Sequence, residues 1–247
     1  MQTKVRVGAV SYLNTKPLIY GIEKGMIKED ADLIIDYPSK IASMLLENEI
    51  DVGLVPVAII PQMKEHYIIS NYCIGSVGAV ASVCLFSEVP LNEIKTVLLD
   101  YQSRTSVALL KVLIKEYWKI DVAFENTSGD YQSKISGTTA GLVIGDRALK
   151  QRKISPFIYD LGDEWGKFTG LPFVFASWIS NKRLEDNFIK EFNKANAFGL
   201  DRIKKVVDEN PYPIFDLGHY YSDCISFNLD ENKKKGLKLF LKKLVKS

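Results

Sequence analysis

Short apolar runs alternate with amphipathic stretches along the first two thirds of the chain, and this alternation most constrains the fold. Residues 4–10 change from alternating polar and apolar to wholly small and apolar, as a strand entering a buried sheet does. Further apolar runs predict strands at 33–37, 51–55, 67–74, 80–86, 96–99, 122–124 and 141–144. Helical spacing over 106–118 places Val107, Leu110 and Ile114 on one face. This β-α-β-α order predicts an α/β fold with a mostly parallel sheet.

Polar residues and a proline follow the first strand directly, in the segment SYLNTKP (residues 11–17). Pro17 suits the first turn of a helix, because its missing N–H costs nothing there. Asn14 or Thr15 can cap that helix, and Ser39 can cap the next one. Because the N-terminus of a helix attracts anions, this segment is also a candidate binding loop.

The last third of the chain has a different pattern. PFVFASWIS (residues 172–180) predicts one extended strand, and helical spacing covers 184–209 and 232–246. The strands at 80–86 and 173–178 are able to pass from one compact unit to another. We therefore predict two lobes, with lobe 1 formed by 1–84 and 177–247 and lobe 2 by 85–176. Two crossing strands leave a central cleft, where ligands tend to bind, with a hinge at 82–86 and 172–177.

Composition excludes several classes of protein. With 32 basic and 30 acidic side chains the net charge is +2, which argues against a nucleic-acid partner. The three cysteines (Cys73, Cys84 and Cys224) have no spacing motif, so we expect neither a disulfide framework nor a zinc site. No run is long enough to span a membrane, and no apolar leader precedes the first strand. These features predict a cytoplasmic protein without a membrane partner, and they leave its oligomeric state open.

Four polar loops follow predicted strands, and each opens a helix. They are SYLNTK (11–16), PSK (38–40), SRTS (103–106) and GDR (145–147). Ligands of open parallel sheets bind outside the carboxyl ends of the strands, where such loops lie. Any single loop is explained by helix capping, but four loops around one cleft favour a small acidic ligand.

The usual catalytic groups are scarce. His66 and His219 are the two histidines, and neither lies in one of the four loops. The sequence contains no GxGxxG, P-loop, GxSxG or HExxH motif and no cluster of metal ligands. Asp100 and Asp146 are the carboxylates nearest the predicted cleft, and Asp146 is as well placed to cap a helix as to act in catalysis.

The segment VGAVSYLNTKPL (7–18) closely resembles the signature of the chorismate dehydratases of the futalosine route to menaquinone. The segments DVGLVPV (51–57), GAVASVCLFS (78–87), SRTSVALL (103–110) and IGDRAL (144–149) are similar to the same family, as is the long stretch YDLGDEWGKFTGLPFVFASW (159–178). The resemblance covers roughly residues 5–178 and is weaker in the C-terminal helices.

The resemblance implies a type 2 periplasmic-binding-protein-like fold, with two lobes joined by two crossing strands around a central cleft. It implies a carbon–oxygen lyase that removes water from chorismate to give 3-[(1-carboxyvinyl)oxy]benzoate, and we expect no cofactor or metal. Carried over onto this sequence, the catalytic positions are Asn14 and Ser82. The substrate-binding candidates are Ser11, Tyr12, Ser39, Pro56, Thr105, Ser106, Gly145 and Asp146.

This reaction suits a site that is poor in acids and bases. The ring becomes aromatic when C3 loses a proton and C4 loses hydroxide, so much of the driving force belongs to the substrate. The protein must orient the substrate, stabilise developing charge and exclude water. Because no side chain is a convincing general base, the hypothesis is that the enolpyruvyl carboxylate of chorismate takes the proton.

Two other functions fit the same fold. One is a 1,4-dihydroxy-6-naphthoate synthase-like enzyme, for which we expect a histidine in lobe 2, and this chain has none between His66 and His219. The other is a non-catalytic solute-binding protein for a small anion, for which we expect an export signal.

Overall fold

The computed structural model describes residues 4–245, which form two mixed β-sheets flanked by helices. The first sheet has the strand order β11-β4-β10-β3-β1-β2. Its strands are β1 (Val5–Val10), β2 (Ala31–Asp36), β3 (Val52–Pro56), β4 (Tyr67–Ser76), β10 (Phe173–Ser180) and β11 (Ser226–Asn228). The second sheet has the order β7-β6-β8-β5-β9. Its strands are β5 (Val83–Ser87), β6 (Thr96–Leu99), β7 (Ala123–Asn126), β8 (Thr139–Ile144) and β9 (Phe157–Asp160).

Nine α-helices cover these sheets within residues 4–245. They are α1 (Lys16–Glu23), α2 (Pro38–Leu46), α3 (Arg104–Val112), α4 (Asp146–Gln151), α5 (Leu161–Thr169), α6 (Asp186–Leu200), α7 (Ile203–Glu209), α8 (Leu217–His219) and α9 (Glu231–Leu244). Short 3-10 helices occur at Leu13–Thr15, Val57–Gln62, Leu91–Glu93 and Gln132–Lys134, and π-helical turns at Leu113–Trp118 and Tyr220–Cys224. None of these helices is long and apolar enough to cross a bilayer.

The prediction of a mostly parallel sheet is wrong. β1 pairs in parallel with β2 and β3, and β6 pairs in parallel with β7 and β8. The other pairings, through β10 and β4 in the first sheet and β5 in the second, are antiparallel. β5 and β10, the first strand after each crossing, run antiparallel to both of their neighbours, and β11 at the edge of the first sheet runs antiparallel to β4.

The α/β class and the two-lobed arrangement are confirmed. The chain leaves the first sheet after β4 and re-enters it at β10 after helix α5. Val83 and Cys84 already pair with β8, and β10 pairs with β4 from Phe173 onward and with β3 from Ala176 onward. We propose that the lobes divide where the pairing changes sheet, in the segments 77–82 and 161–172, slightly earlier than the predicted boundaries at 84/85 and 176/177.

Several predicted elements differ in extent. The helix expected over 106–118 begins at Arg104 and ends in a π-helical turn. The stretch expected over 184–209 is divided by a turn between α6 and α7. α9 ends at Leu244, and Lys246, the end of the predicted helix, lies outside the described residues. α4 begins in the GDR loop that was predicted to open a helix, and two elements that the sequence did not predict, β9 and α5, complete the second lobe and the return crossing.

The two lobes face each other across the carboxyl ends of their parallel strands. Val10 ends β1 and Pro56 ends β3 on one side of the cleft, while Ile144 ends β8 on the other. Ligands of such sheets bind outside these strand ends, so the fold places the candidate site in this cleft.

Candidate functional site

A small cavity lies between the lobes at this position. Its volume is about 50 Å³, which is room for a few water molecules and much less than the usual size of a ligand pocket. It is lined by Val10, Tyr12, Asn14, Pro38, Pro56, Ile74, Val83, Ser103, Ser106, Ile144, Gly145, Phe175 and Ala176. The lobes are therefore closed, and the wall carries amide, hydroxyl and phenol groups but no charged side chain of the described residues.

The first loop brings Asn14 to the cavity, but not as a helix cap. Residues Leu13–Thr15 form a 3-10 helix, and Thr15 occupies the N-cap position of α1 without a side-chain cap bond. The predicted capping by Asn14 or Thr15 is therefore wrong, because the 3-10 turn already supplies the entry into the helix. The Asn14 Oδ1 accepts a hydrogen bond from the Thr15 hydroxyl at 3.3 Å. The Asn14 amide nitrogen donates to no partner within residues 4–245.

Tyr12 and Gly145 meet across the cleft. Gly145 has a φ of +63°, and a Cβ there would lie 3.1 Å from the Tyr12 ring. Glycine is the residue that adopts this backbone without strain and also leaves room for the ring. The Tyr12 hydroxyl donates a hydrogen bond to Oε1 of Gln102 in the second lobe. Burial raises the pKa of Tyr12 well above its usual range, so the phenol stays a neutral donor.

The start of α3 contributes hydroxyl groups from the second lobe. The Ser103 Oγ caps the helix by accepting from the Ser106 N–H at 3.1 Å, and the Ser103 hydroxyl donates to the Ser106 Oγ at 2.8 Å. Ser103 and Ser106 both line the cavity. Thr105 does not line it, because its buried Oγ1 accepts from the Ala58 N–H of the first lobe at 3.1 Å. Thr105 therefore links the lobes in the closed arrangement.

Ser82, a predicted catalytic residue, is fully buried and does not line the cavity in this closed arrangement. Its Oγ accepts a hydrogen bond from the Tyr220 hydroxyl at 2.6 Å, and its carbonyl accepts from the Gly145 N–H at 2.8 Å. Its neighbour Val83 does line the cavity. Ser82 thus lies directly behind the cavity wall, beneath Gly145.

The remaining predicted residues divide into those at the cavity and those around it. Pro56 lines it, whereas Ser11 is exposed and Ser39 is not part of the wall. At the second loop the cavity instead meets Pro38, which begins α2, so Ser39 is not the cap either.

Asp146 lies at the lobe interface rather than on the cavity wall. Its Oδ1 accepts from the Leu13 N–H at 3.2 Å, and its carbonyl accepts from the Tyr212 hydroxyl at 3.0 Å. Burial raises the pKa of Asp146, while the bond from Leu13 opposes that shift.

A buried ionic cluster beside the cleft is the main feature of the site that the sequence did not predict. Arg147 Nη2 lies 2.8 Å from Asp100 Oδ2, and the Tyr131 hydroxyl donates to the same oxygen at 2.8 Å. Arg147 Nη2 also donates to the Gln102 Oε1 at 3.0 Å, the oxygen that Tyr12 contacts. We call these four second-lobe residues, Asp100, Gln102, Tyr131 and Arg147, the Asp100 cluster. The positions of Asp100, Gln102 and Arg147 just after β6 and β8 are the signal that could have found it.

Other wall residues were not among the predicted site residues, although some lie in the predicted crossing strands. Phe175 and Ala176 of β10, Ile74 of β4 and Val83 of β5 belong to the apolar part of the cavity wall. Within residues 4–245, no three His, Cys, Asp or Glu side chains come together as a possible metal site.

The family model described as menaquinone biosynthesis matches residues 5–246 of this chain. The chain is 27% identical over 263 residues to a chorismate dehydratase of Thermus thermophilus, covering 96% of this chain and 94% of that protein. It is also 27% identical over 246 residues to a chorismate dehydratase of Campylobacter jejuni, covering 95% of each.

Solved structures resemble this one along nearly the whole chain. A protein from Archaeoglobus fulgidus matches with a TM-score of 0.73 at 14% identity, covering 98% of this chain and 97% of that one. A Candida albicans protein described as having the generic periplasmic binding protein fold matches with a TM-score of 0.66 at 13% identity, covering 99% and 91%. These likenesses show the periplasmic-binding-protein fold.

Proposed function

Because this chain belongs to the menaquinone-biosynthesis family, we propose that it is a chorismate dehydratase, a carbon–oxygen lyase that converts chorismate into 3-[(1-carboxyvinyl)oxy]benzoate. The observation that carries the proposal is the match along almost the whole length of two relatives with that name. We propose further that the enzyme acts in the cytoplasm on this small-molecule substrate alone, without a cofactor.

The chemistry of the cavity wall supports this reaction. Chorismate carries two carboxylates; Asn14 offers a neutral N–H donor from the first lobe, and Ser106, whose Oγ accepts from Ser103, offers a neutral O–H donor from the second. Neutral donors in a site that excludes water stabilise negative charge without themselves taking up or releasing a proton. The wall has no side chain that titrates near neutral pH, as a general base would need to.

The substrate itself then supplies the group that moves the proton. The ring carboxylate acidifies the C3 proton through the conjugated double bonds, and the enolpyruvyl carboxylate takes that proton. Hydroxide leaves from C4 and becomes water by taking from the enolpyruvyl carboxyl the proton that came from C3, so the carboxylate is regenerated and the ring becomes aromatic. The role of the protein is to hold both carboxylates and keep the C4 hydroxyl oriented for departure.

Substrate entry requires the lobes to separate, because a cavity of about 50 Å³ is too small for a ring with two carboxylates. We propose a hinge opening that breaks the lobe-to-lobe bonds of Tyr12, Leu13 and Ala58 and exposes Ser82 and Asn14 to the substrate. This motion accounts for a predicted catalytic serine that lies behind the wall of the closed cavity.

The test is to incubate the purified protein with chorismate and follow the absorbance change from diene to aromatic ring, with mass spectrometry to detect the loss of one water. Turnover is expected. A stable complex with unchanged chorismate would instead indicate a binding protein of this fold.

A substitution of Asn14 tests the role of the first loop. Asn14→Asp keeps the size and replaces the amide donor by a negative charge, which repels a bound carboxylate in a closed cleft. Because Asn14 caps no helix, the unfolding midpoint should stay near that of the wild type. Turnover should fall by about two orders of magnitude, the scale of losing one oriented donor.

The matched control is Asn187→Asp, the same change at an exposed position in the first turn of α6. It should leave turnover unchanged. Near-normal turnover of Asn14→Asp would remove Asn14 from the site and leave the first loop a purely structural turn.

A further inference from the structure

One carboxylate, that of Asp160, is tied to both segments in which the chain passes between the lobes. Asp160 ends β9 and caps α5, with its Oδ1 accepting from the Gly162 N–H at 3.1 Å and the Asp163 N–H at 3.4 Å. The same carboxylate accepts from the Val80 N–H at 2.9 Å and the Ala81 N–H at 2.7 Å, on the other crossing. Asp160 is buried, with 9% of its surface exposed.

The residue on the other crossing has a strained backbone. Ala81 has a φ of +64°, the left-handed region that favours glycine. For an alanine this conformation persists only where the surroundings hold it. The shortest of the four N–H bonds to Asp160 comes from this residue.

The strained residue lies next to the site. Ala81 directly precedes Ser82, which lies behind Gly145, and Val83, which lines the cavity. A relaxation of Ala81 toward a negative φ would change the direction of the chain at Ser82, which is also held by its bonds to Tyr220 and Gly145.

We propose that Asp160 is a positioning residue, which holds Ala81 in its left-handed conformation and thereby fixes Ser82 and Val83 at the cleft. The inference rests on the proposed function for its effect on turnover, and on the geometry of Val80, Ala81 and Asp160 for its effect on structure. It assigns a role to the DLGD segment (160–163), which the cavity wall does not include.

The decisive variant is Asp160→Asn. An asparagine Oδ1 can keep the bonds from Val80 and α5, since these are made to Oδ1, but its Nδ2 would face the Ala81 N–H that now donates to Oδ2. Two donors then face each other, so the hydrogen bond that holds Ala81 in its left-handed conformation is lost. We expect kcat for chorismate to fall at least about tenfold per folded molecule, with KM within about twofold, because a displacement of about 1 Å in a catalytic site costs up to a hundredfold.

Two further variants separate positioning from general stability. In Asp160→Asn/Ala81→Gly, glycine adopts the left-handed backbone at no steric cost, so part of the lost kcat should return. Asp230→Asn makes the same change at the cap of α9, whose carboxylate accepts from the Lys233 N–H at 2.8 Å, and should leave kcat unchanged.

Hydrogen exchange at the Val80 and Ala81 amides tests whether Asp160 holds Ala81, and it does not depend on turnover. Asp160→Asn should raise the exchange rate of the Ala81 amide about tenfold or more, the scale of a lost bond to a charged acceptor. If the wild type turns over no chorismate, the proposed function fails, and faster Ala81 exchange in the variant still supports the positioning role.

Wild-type kcat together with wild-type exchange in Asp160→Asn would overturn the inference. If that variant does not fold, the double variant is compared with Ala81→Gly alone. Equal kcat and equal Ala81 exchange in those two proteins would overturn the inference in the same way.

Discussion

Two buried aspartates, Asp51 and Asp100, have similar surroundings, but one lies at the amino end of a strand and the other at a carboxyl end. Asp51 precedes β3 and accepts from the Arg6 backbone N–H at 2.9 Å, from the Arg6 guanidinium at 2.9 Å and 3.1 Å, and from Lys182 at 2.8 Å. Asp100 follows β6 and accepts from Arg147 and Tyr131, each at 2.8 Å. Both carboxylates are almost inaccessible to solvent, at 5% and 3% exposure.

Whether each carboxylate lies near the cavity depends on the end of the strand at which it lies. Asp51 lies at the amino end of β3, at the far end of the strand from the cavity residue Pro56. Its partners belong to its own lobe, and Arg6 and Lys182 are about half exposed. Asp100 lies at the carboxyl end of β6, and its cluster reaches the first lobe through Gln102 and Tyr12. The same chemistry therefore stabilises the fold in one lobe and borders the cleft in the other.

The strongest test of this difference is Asp100→Asn. It leaves the Arg147 guanidinium beside the cleft without its carboxylate, and removing one partner of a buried pair costs about 3 kcal/mol. We expect the unfolding free energy to fall by about that amount and chorismate turnover per folded molecule to fall about a hundredfold, the scale of a displacement of about 1 Å in a catalytic site. Urea unfolding and steady-state kinetics measure the two effects. Unchanged turnover would mean that the Asp100 cluster is as remote from function as Asp51.

The corresponding change in the first lobe, Asp51→Asn, should separate stability from activity. The hydrogen bonds from Arg6 and Lys182 to a charged acceptor are worth about 2 kcal/mol together, since both cations keep contact with water. The unfolding free energy should fall by about that amount, while kcat and KM of the folded protein stay those of the wild type. A change in KM would show that the far end of β3 does communicate with the cavity.

The pH dependence of stability is an independent test of the contribution of Asp51 to the free energy of unfolding. Burial alone would raise its pKa, but the bonds from Arg6 and Lys182 prevail and hold the pKa of Asp51 well below its usual range. In the unfolded chain this carboxyl takes up a proton near pH 4, while in the folded protein it stays ionised. The stabilisation by Asp51 is therefore fully present above about pH 4 and is lost as the pH falls further.

Urea unfolding of the wild type and Asp51→Asn between pH 7 and pH 3 measures this effect. The difference in unfolding free energy should be constant down to about pH 4.5 and then shrink, by up to roughly 1.4 kcal/mol per pH unit. A difference that stays constant to pH 3 would contradict the lowered pKa.

Local sequence pattern was enough to predict many of the strands and helices and the polar loops that reach the cavity. The strand at Thr96–Leu99 has the predicted bounds, and the polar loops after β1, β6 and β8 reach the cavity through Asn14, Ser106 and Gly145. Apolar periodicity and strand-end position depend on neighbouring residues in the chain, so the sequence carries them directly.

Contacts between distant segments could not be predicted in this way. The pairing of Asp100 with Arg147 requires β6 and β8 to be neighbours, and the contact of Tyr220 with Ser82 joins residues 138 positions apart. The burial of Ser82 and the hold of Asp160 on Ala81 likewise depend on how the two crossings meet. Spacing along the chain contains no record of these tertiary arrangements.

The smallest expected effect comes from Tyr12→Phe, which cuts the link between the Asp100 cluster and the first lobe. The Gln102 Oε1 keeps its bond from Arg147, so no buried acceptor is left unpaired and the loss is one net hydrogen bond, about 1 kcal/mol. Because that bond exists only when the lobes are closed, its loss shifts the balance between closed and open forms about fivefold toward open. We expect KM for chorismate to rise a few-fold, kcat to stay within about twofold, and small-angle scattering to show a larger mean radius.

Tyr101→Phe is the matched control for that change, because the Tyr101 hydroxyl accepts from Gln102 Nε2 at 2.9 Å within the second lobe. It removes a bond to the same glutamine without removing a bond between lobes, so it should leave both KM and the scattering profile unchanged. If the two variants raise KM equally, the orientation of Gln102 matters rather than lobe closure. The Asp100 cluster would then act within the second lobe alone, as the Asp51 bonds act within the first.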